Sequence, residues 1–102
     1  MNIADSIRLI ENEYDLETGA IGKLRGLEYD KEGFERLIAI LKEIEIDDDL
    51  KIDKRFVSLV WYIPIFMIWQ ARAIENDSSA ANEINNDSEK IAHILFELIG
   101  YP

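Results

Sequence analysis

Fourteen consecutive positions from Phe56 to Trp69 are apolar except for Ser58 and Pro64. A run of this kind has to be buried against the rest of the chain, and Pro64 in its middle removes a backbone donor that a straight helix would need. Asp53 is placed to cap a helix beginning at Lys54, and the helix formers Gln70-Ala71-Arg72-Ala73 extend it beyond Trp69. The spacing therefore predicts a central helix, apolar nearly all round, that Pro64 either kinks or splits in two. Two buried strands are the alternative that its β-branched and aromatic content leaves open. The run by itself falls short of the ~20 residues that cross a bilayer, so it reads as core.

The flanking segments are amphipathic at helical spacing. Ile3, Ile7, Ile10 and Tyr14 form one stripe and predict a helix over residues 2 to 17. Gly19, Gly22 and Gly26 then weaken any helix through Ile21 and Leu24, leaving a loose turn or a short helix. Asp30 caps a helix over residues 31 to 45, with Phe34, Leu37, Ile38 and Leu41 inward. Residues 76 to 86, rich in Asn, Asp, Ser and Ala, read as a polar connector. Asn86 with Glu89 then forms a capping box for a last helix that carries Ile91, Leu95, Leu98 and Ile99 and stops at Gly100. The expected fold is all-α, a single domain of about four to six helices around the Pro64 helix. With 48% hydrophobic residues in 102, the chain has material for one core.

Charge limits what such a domain can bind. The chain has a formal net charge of -10, which disfavours direct contact with nucleic-acid phosphates or anionic membranes. No cysteine is present, so nothing in the chain depends on an oxidising compartment. Together with an N-terminus that lacks the features of a secretory signal, this makes the cytoplasm the expected location. The charge is also localised. Residues 43 to 53 carry six acids against Lys51, and residues 75 to 89 carry five acids and no base, while charges elsewhere cancel.

Little of this supports chemistry. His93 is the single histidine, on a polar face near Lys90 and Glu97, and reads as an exposed structural residue with no nucleophile marked beside it. The run from Asp47 to Asp53 begins like a calcium loop but fails, with Lys51 at an oxygen-ligand place, Ile52 where glycine is needed and Ser58 at the last ligand place. Asp5-Ser6-Ile7 is similar to the attachment site of acyl carrier proteins, but Ser6 lies within the first helix and not at the start of the second. Neither an enzyme nor a metal or cofactor site is expected.

Binding surface remains. Glu43, Glu45, Asp47, Asp48, Asp49 and Asp53 have two readings: a solvated connector, or a row of carboxylates that mimics a phosphate backbone toward a basic protein. Six acids within eleven residues repel one another, which favours the second. Arg55, Ser58, Tyr62, Trp69 and Arg72 share a stripe whose aromatics either complete the core or anchor a partner. Tyr29 is a weaker anchor candidate, and Trp61 is expected to be buried.

The segment Gly22-Lys23-Leu24-Arg25-Gly26-Leu27-Glu28-Tyr29-Asp30-Lys31-Glu32-Gly33-Phe34-Glu35-Arg36-Leu37 resembles a stretch of small helical immunity proteins from bacterial toxin systems, including contact-dependent growth inhibition. In those proteins a Leu-Arg pair leads through Tyr-Asp into a helix with Phe and Leu inward. The resemblance covers about a sixth of the chain. Colicin nuclease immunity proteins are similar in size and acidity, but Trp61-Tyr62-Ile63-Pro64 departs from their paired tyrosines before proline, so no residue of that motif is carried over. The resemblance implies a cytoplasmic antitoxin that occludes a cognate toxin, such as a basic ribonuclease or deoxyribonuclease. The sequence leaves the oligomeric state open, with a slight preference for a monomer. The alternative is a regulatory or adaptor domain that self-associates or docks on an assembly through Tyr62 and Trp69.

Overall fold

The computed structural model describes residues 1–46, 51–74 and 76–100. Among them the elements are α1 (Ile3–Asn12), α2 (Ala20–Arg25), α3 (Lys31–Lys42), α4 (Lys54–Val60), α5 (Ile63–Ala73) and α6 (Ser78–Ile99). The fold is all-α, as the periodicity predicts, and the strand alternative for residues 56 to 69 is overturned by α4 and α5.

Local caps explain where most elements begin. Asn2 accepts from the Asp5 N–H at 2.8 Å and Asp30 from the Gly33 N–H at 3.1 Å. Asp53 accepts from the Arg55 N–H at 2.7 Å, and Asp77 from the Ala80 N–H at 3.1 Å. The Gly33 amide, joined by Lys23 Nζ at 3.0 Å, holds the Asp30 carboxyl below its ordinary range.

Three boundaries differ from the sequence expectation. Helix α1 stops at Asn12 rather than residue 17, because the Asp15 carboxylate takes the N–H groups of Glu17 and Thr18 and competes with the helix ladder. Helix α3 stops at Lys42 rather than residue 45. There the terminal amine of Met1 donates to the Glu43 carbonyl at 2.7 Å, and the Glu45 N–H donates to the Met1 carbonyl at 2.9 Å, so the first residue pairs with the departing chain. The third difference is the largest. Residues 78 to 86, expected as a connector, are the first turns of the 22-residue α6, and Asn86 sits exposed in mid-helix with no capping role. The composition is polar, but Ile84, Asp87, Ser88, Ile91 and Leu95 still fall on one buried face.

The glycine-rich segment is a short helix held very close to the turn that follows α1. A Cβ at Gly22 would lie 2.0 Å from the Asp15 carbonyl oxygen, and one at Gly19 would lie 2.2 Å from that of Glu13. The Glu13 carbonyl in turn accepts the N–H groups of Ile21 and Gly22. The side chain of Glu13, itself only 4% exposed, meets Arg36 of α3 through two bonds, Nε to Oε2 at 2.6 Å and Nη2 to Oε1 at 2.7 Å. Its Oε1 also accepts the Ala20 N–H at 3.0 Å. One carboxylate thus fixes the relation of α1, α2 and α3, and its bond to the Arg36 guanidinium raises the pKa of that group.

Pro64 splits the central helix rather than kinking it. It falls in the first turn of α5, where its missing N–H is not required. Side chains reach the backbone on both sides of the break: Tyr14 donates its hydroxyl to the Leu59 carbonyl, and Ser88 Oγ donates to the Pro64 carbonyl at 3.0 Å. Helices α5 and α6 pack as a hairpin, α3 lies against α6, and α1 bridges α3 and α4. Phe34, Phe56, Val60, Ile63, Met67, Ile84 and Ile91 form the centre of the core.

Candidate protein-binding surfaces

The acidic segment after α3 is only partly a row of unengaged carboxylates. Glu43 and Glu45 are exposed, whereas Asp53 is exposed but occupied as the α4 cap. Asp47, Asp48 and Asp49 lie outside the described residues. Glu45, Lys51 and Asp53 rim a cleft of about 530 Å³ whose wall is apolar, with Ile3 and Ile7 of α1 opposite Ile46. Carboxylates therefore border an apolar floor there, an arrangement that suits a partner carrying both basic and apolar groups.

The second acid-rich segment is not a comparable surface. Asp77 caps α6, and Glu83 receives Lys31 Nζ at 3.4 Å. Asp87 is buried beneath the hydroxyl of Tyr29 at 2.5 Å, which leaves Glu89 exposed, while Glu75 lies outside the described residues. Tyr29 is accordingly a structural tie and not an open anchor. Burial, and then the Asp87 carboxylate, push its pKa far above the ordinary tyrosine value. His93 is exposed as expected, with Nε2 3.1 Å from Glu97 Oε1. Among the described residues, no group of three or more His, Cys, Asp or Glu is placed to hold a metal ion.

The aromatic stripe gave the clearest result and one correction. Trp61, expected in the core, is 57% exposed, and Trp69 is 55% exposed. Tyr62 is half-buried between them, its ring 5.2 Å from Trp61 and 5.7 Å edge-on from Trp69. The reading that Tyr62 and Trp69 complete the core does not hold for Trp69. Its physical cause lies in the helix geometry: Ile63, Met67 and Ala71 take the inward face of α5, and Trp61, Ile65, Ile68 and Trp69 are left outward.

The strip continues onto α6 through Phe96 and Ile99, which are 46% and 39% exposed. Between the two helices lies an uncharged groove of about 320 Å³ bordered by Trp61, Ile65, Leu95 and Ile99. Sequence reasoning missed Ile65, Ile68 and Phe96, and it set Ile99 on the apolar face of the last helix with Ile91 and Leu95, whereas Ile99 is 39% exposed. The 61, 65, 68 spacing was present, but it ran beside an equally apolar inward row and nothing local separated the two. Together Lys54–Ala73 make 20 residues, long and apolar enough by length and composition alone to cross a bilayer, with 33% of its most apolar 18-residue window buried in the fold. The expectation that the run is core thus holds for one face only.

No protein-family model, no curated protein and no solved structure matches the chain.

Proposed function

We propose that this chain acts by binding and occluding another protein, as an immunity protein that neutralises a cognate bacterial toxin through its acidic face. The observation that carries this reading is the cleft beside α1, where Glu45 and Asp53, together with the single base Lys51, border the apolar side chains Ile3, Ile7 and Ile46. Carboxylates on such a rim raise the association rate with a basic partner and select it by paired charge, while the apolar floor supplies affinity. The net charge of -10 and the resemblance of residues 22 to 37 to immunity proteins point the same way. A basic nuclease is the kind of toxin that fits.

The test is co-expression with the toxic C-terminal domain of a neighbouring secreted protein. Cells should survive only when this chain is present, and no protection would reject the reading. Replacing Asp47, Asp48 and Asp49 by lysine should slow association roughly tenfold at low salt. An unchanged rate would remove the acidic surface from the mechanism.

A second reading, an adaptor domain that docks through α5, is favoured by the exposure of Trp61 and Trp69. Such a domain would give no protection against any toxin.

A further inference from the structure

We infer that the outward strip of α5 and the adjoining end of α6 pair with the same strip of a second copy of this chain, giving a two-fold homodimer. This inference does not depend on the inhibitor reading, since the acidic cleft lies at the far end of α4, beyond Asp53.

Charge selects the occupant. In an isologous interface each patch meets itself, so a patch with net charge repels its own copy. The chain carries -10 in all, yet residues 56 to 71 carry no charged side chain, the bases Lys54, Arg55 and Arg72 standing outside that stretch. The groove between α5 and α6 is bordered by no charged residue. This face is therefore where two such acidic molecules can approach closely, and a basic partner finds no carboxylate in the groove to pair with. A two-fold axis through the strip sets the Trp69 end of one copy against the groove end of the other, so that each projecting ring faces a recess.

Area agrees with this. At 57% and 55% exposure for the two tryptophans and 39% to 46% for Ile65, Ile68, Phe96 and Ile99, these side chains present roughly 600 Å² of apolar surface. A stable interface needs about 800 Å² from each partner, so the strip with a modest rim of Tyr62 and Arg72 suffices.

Sedimentation of the full chain alone across a concentration series tests the inference. The wild type should pass from monomer to dimer below roughly 100 μM, and Ile65→Glu should weaken the dimer at least tenfold while keeping the native far-UV circular dichroism. Trp69→Ser, which removes an outward ring whose ring contact is with half-buried Tyr62 and not with the core, serves if Ile65→Glu fails to fold. The dimer should hold or tighten as salt rises to about 0.5 M, because screening relieves the repulsion between two acidic chains. A monomer at every concentration would overturn the inference, and so would a dimer indifferent to both substitutions. A monomer whose tryptophan emission shifts on neutral phosphatidylcholine vesicles would assign the face to lipid and equally reject the second copy. Protection against a toxin is measured separately, so either result can fail without the other.

Discussion

The hydroxyl of Tyr29 reaches across to the carboxylate of Asp87 at 2.5 Å, linking the turn before α3 to the buried face of α6. This bond satisfies an acid that is only 8% exposed, and it lets a polar residue occupy the inward row of the longest helix. Tyr29→Phe should leave that carboxylate without its donor and cost about 1–3 kcal/mol in urea unfolding, whereas Asp87→Asn, which keeps an acceptor, should cost less.

The same tyrosine gives the domain an alkaline limit. Its folded pKa lies well above the unfolded value of about 10, first through burial and then through Asp87, and burial raises that of Tyr14 as well. A raised folded pKa contributes stability that is complete below the unfolded value and is lost as pH climbs from there toward the folded one. Unfolding free energy should therefore be steady up to about pH 10 and fall above it. In Tyr29→Phe the alkaline fall should be shallower, and equal slopes in the two proteins would contradict the assignment.

Glu13 is held by Arg36 in a two-pronged bond and by the Ala20 N–H, at 4% side-chain exposure. Arg36 is 49% exposed and can return to water when its partner goes, so the loss is smaller than for a fully enclosed pair. Glu13→Ala should destabilise the fold by about 2 kcal/mol and loosen α2 first, visible as faster amide exchange at Ile21 and Leu24. Arg36→Ala should cost more than Glu13→Gln, because it leaves a buried carboxylate without its cation, whereas glutamine keeps an acceptor for the Ala20 N–H and half-exposed Arg36 returns to water.

Gly22 has no room for a side chain, since a Cβ there would fall 2.0 Å from the Asp15 carbonyl oxygen. Helix propensity alone favours Gly22→Ala by about 1 kcal/mol. The backbone clash reverses the sign, and a destabilisation of about 2 kcal/mol is expected in thermal unfolding. At Gly26 the nearest atom is a carbonyl oxygen at 3.4 Å, so Gly26→Ala should be close to neutral.

Much of the fold was legible because its signals are local. A cap acts within three residues, which is why Asp30 and Asp53 mark the starts of α3 and α4 in the sequence as they do in the structure. Proline acts on its own turn, and Pro64 divides α4 from α5. Asn86 failed as a cap for the converse reason. It has the right residue type with Glu89 three places on, but Asp77 had already started the helix nine residues earlier.

The candidate surfaces divide along the same line. Their residue types, the acids after α3 and the aromatics of α5, could be named from the chain, and Trp69 stands outward as one of its two readings required. Which row of α4 and α5 faces in could not be, and Trp61 was placed on the wrong side. By itself the sequence determined the helical class, the capped starts of α3 and α4 and an interruption at Pro64, because these depend on hydrogen bonds and torsions between near neighbours. Only the tertiary structure decided that Phe56, Val60, Ile63 and Met67 are buried while Trp61, Ile65, Ile68 and Trp69 meet solvent. Hydrophobic burial has no direction of its own, and on a helix that is apolar all round the neighbouring elements choose the inner face.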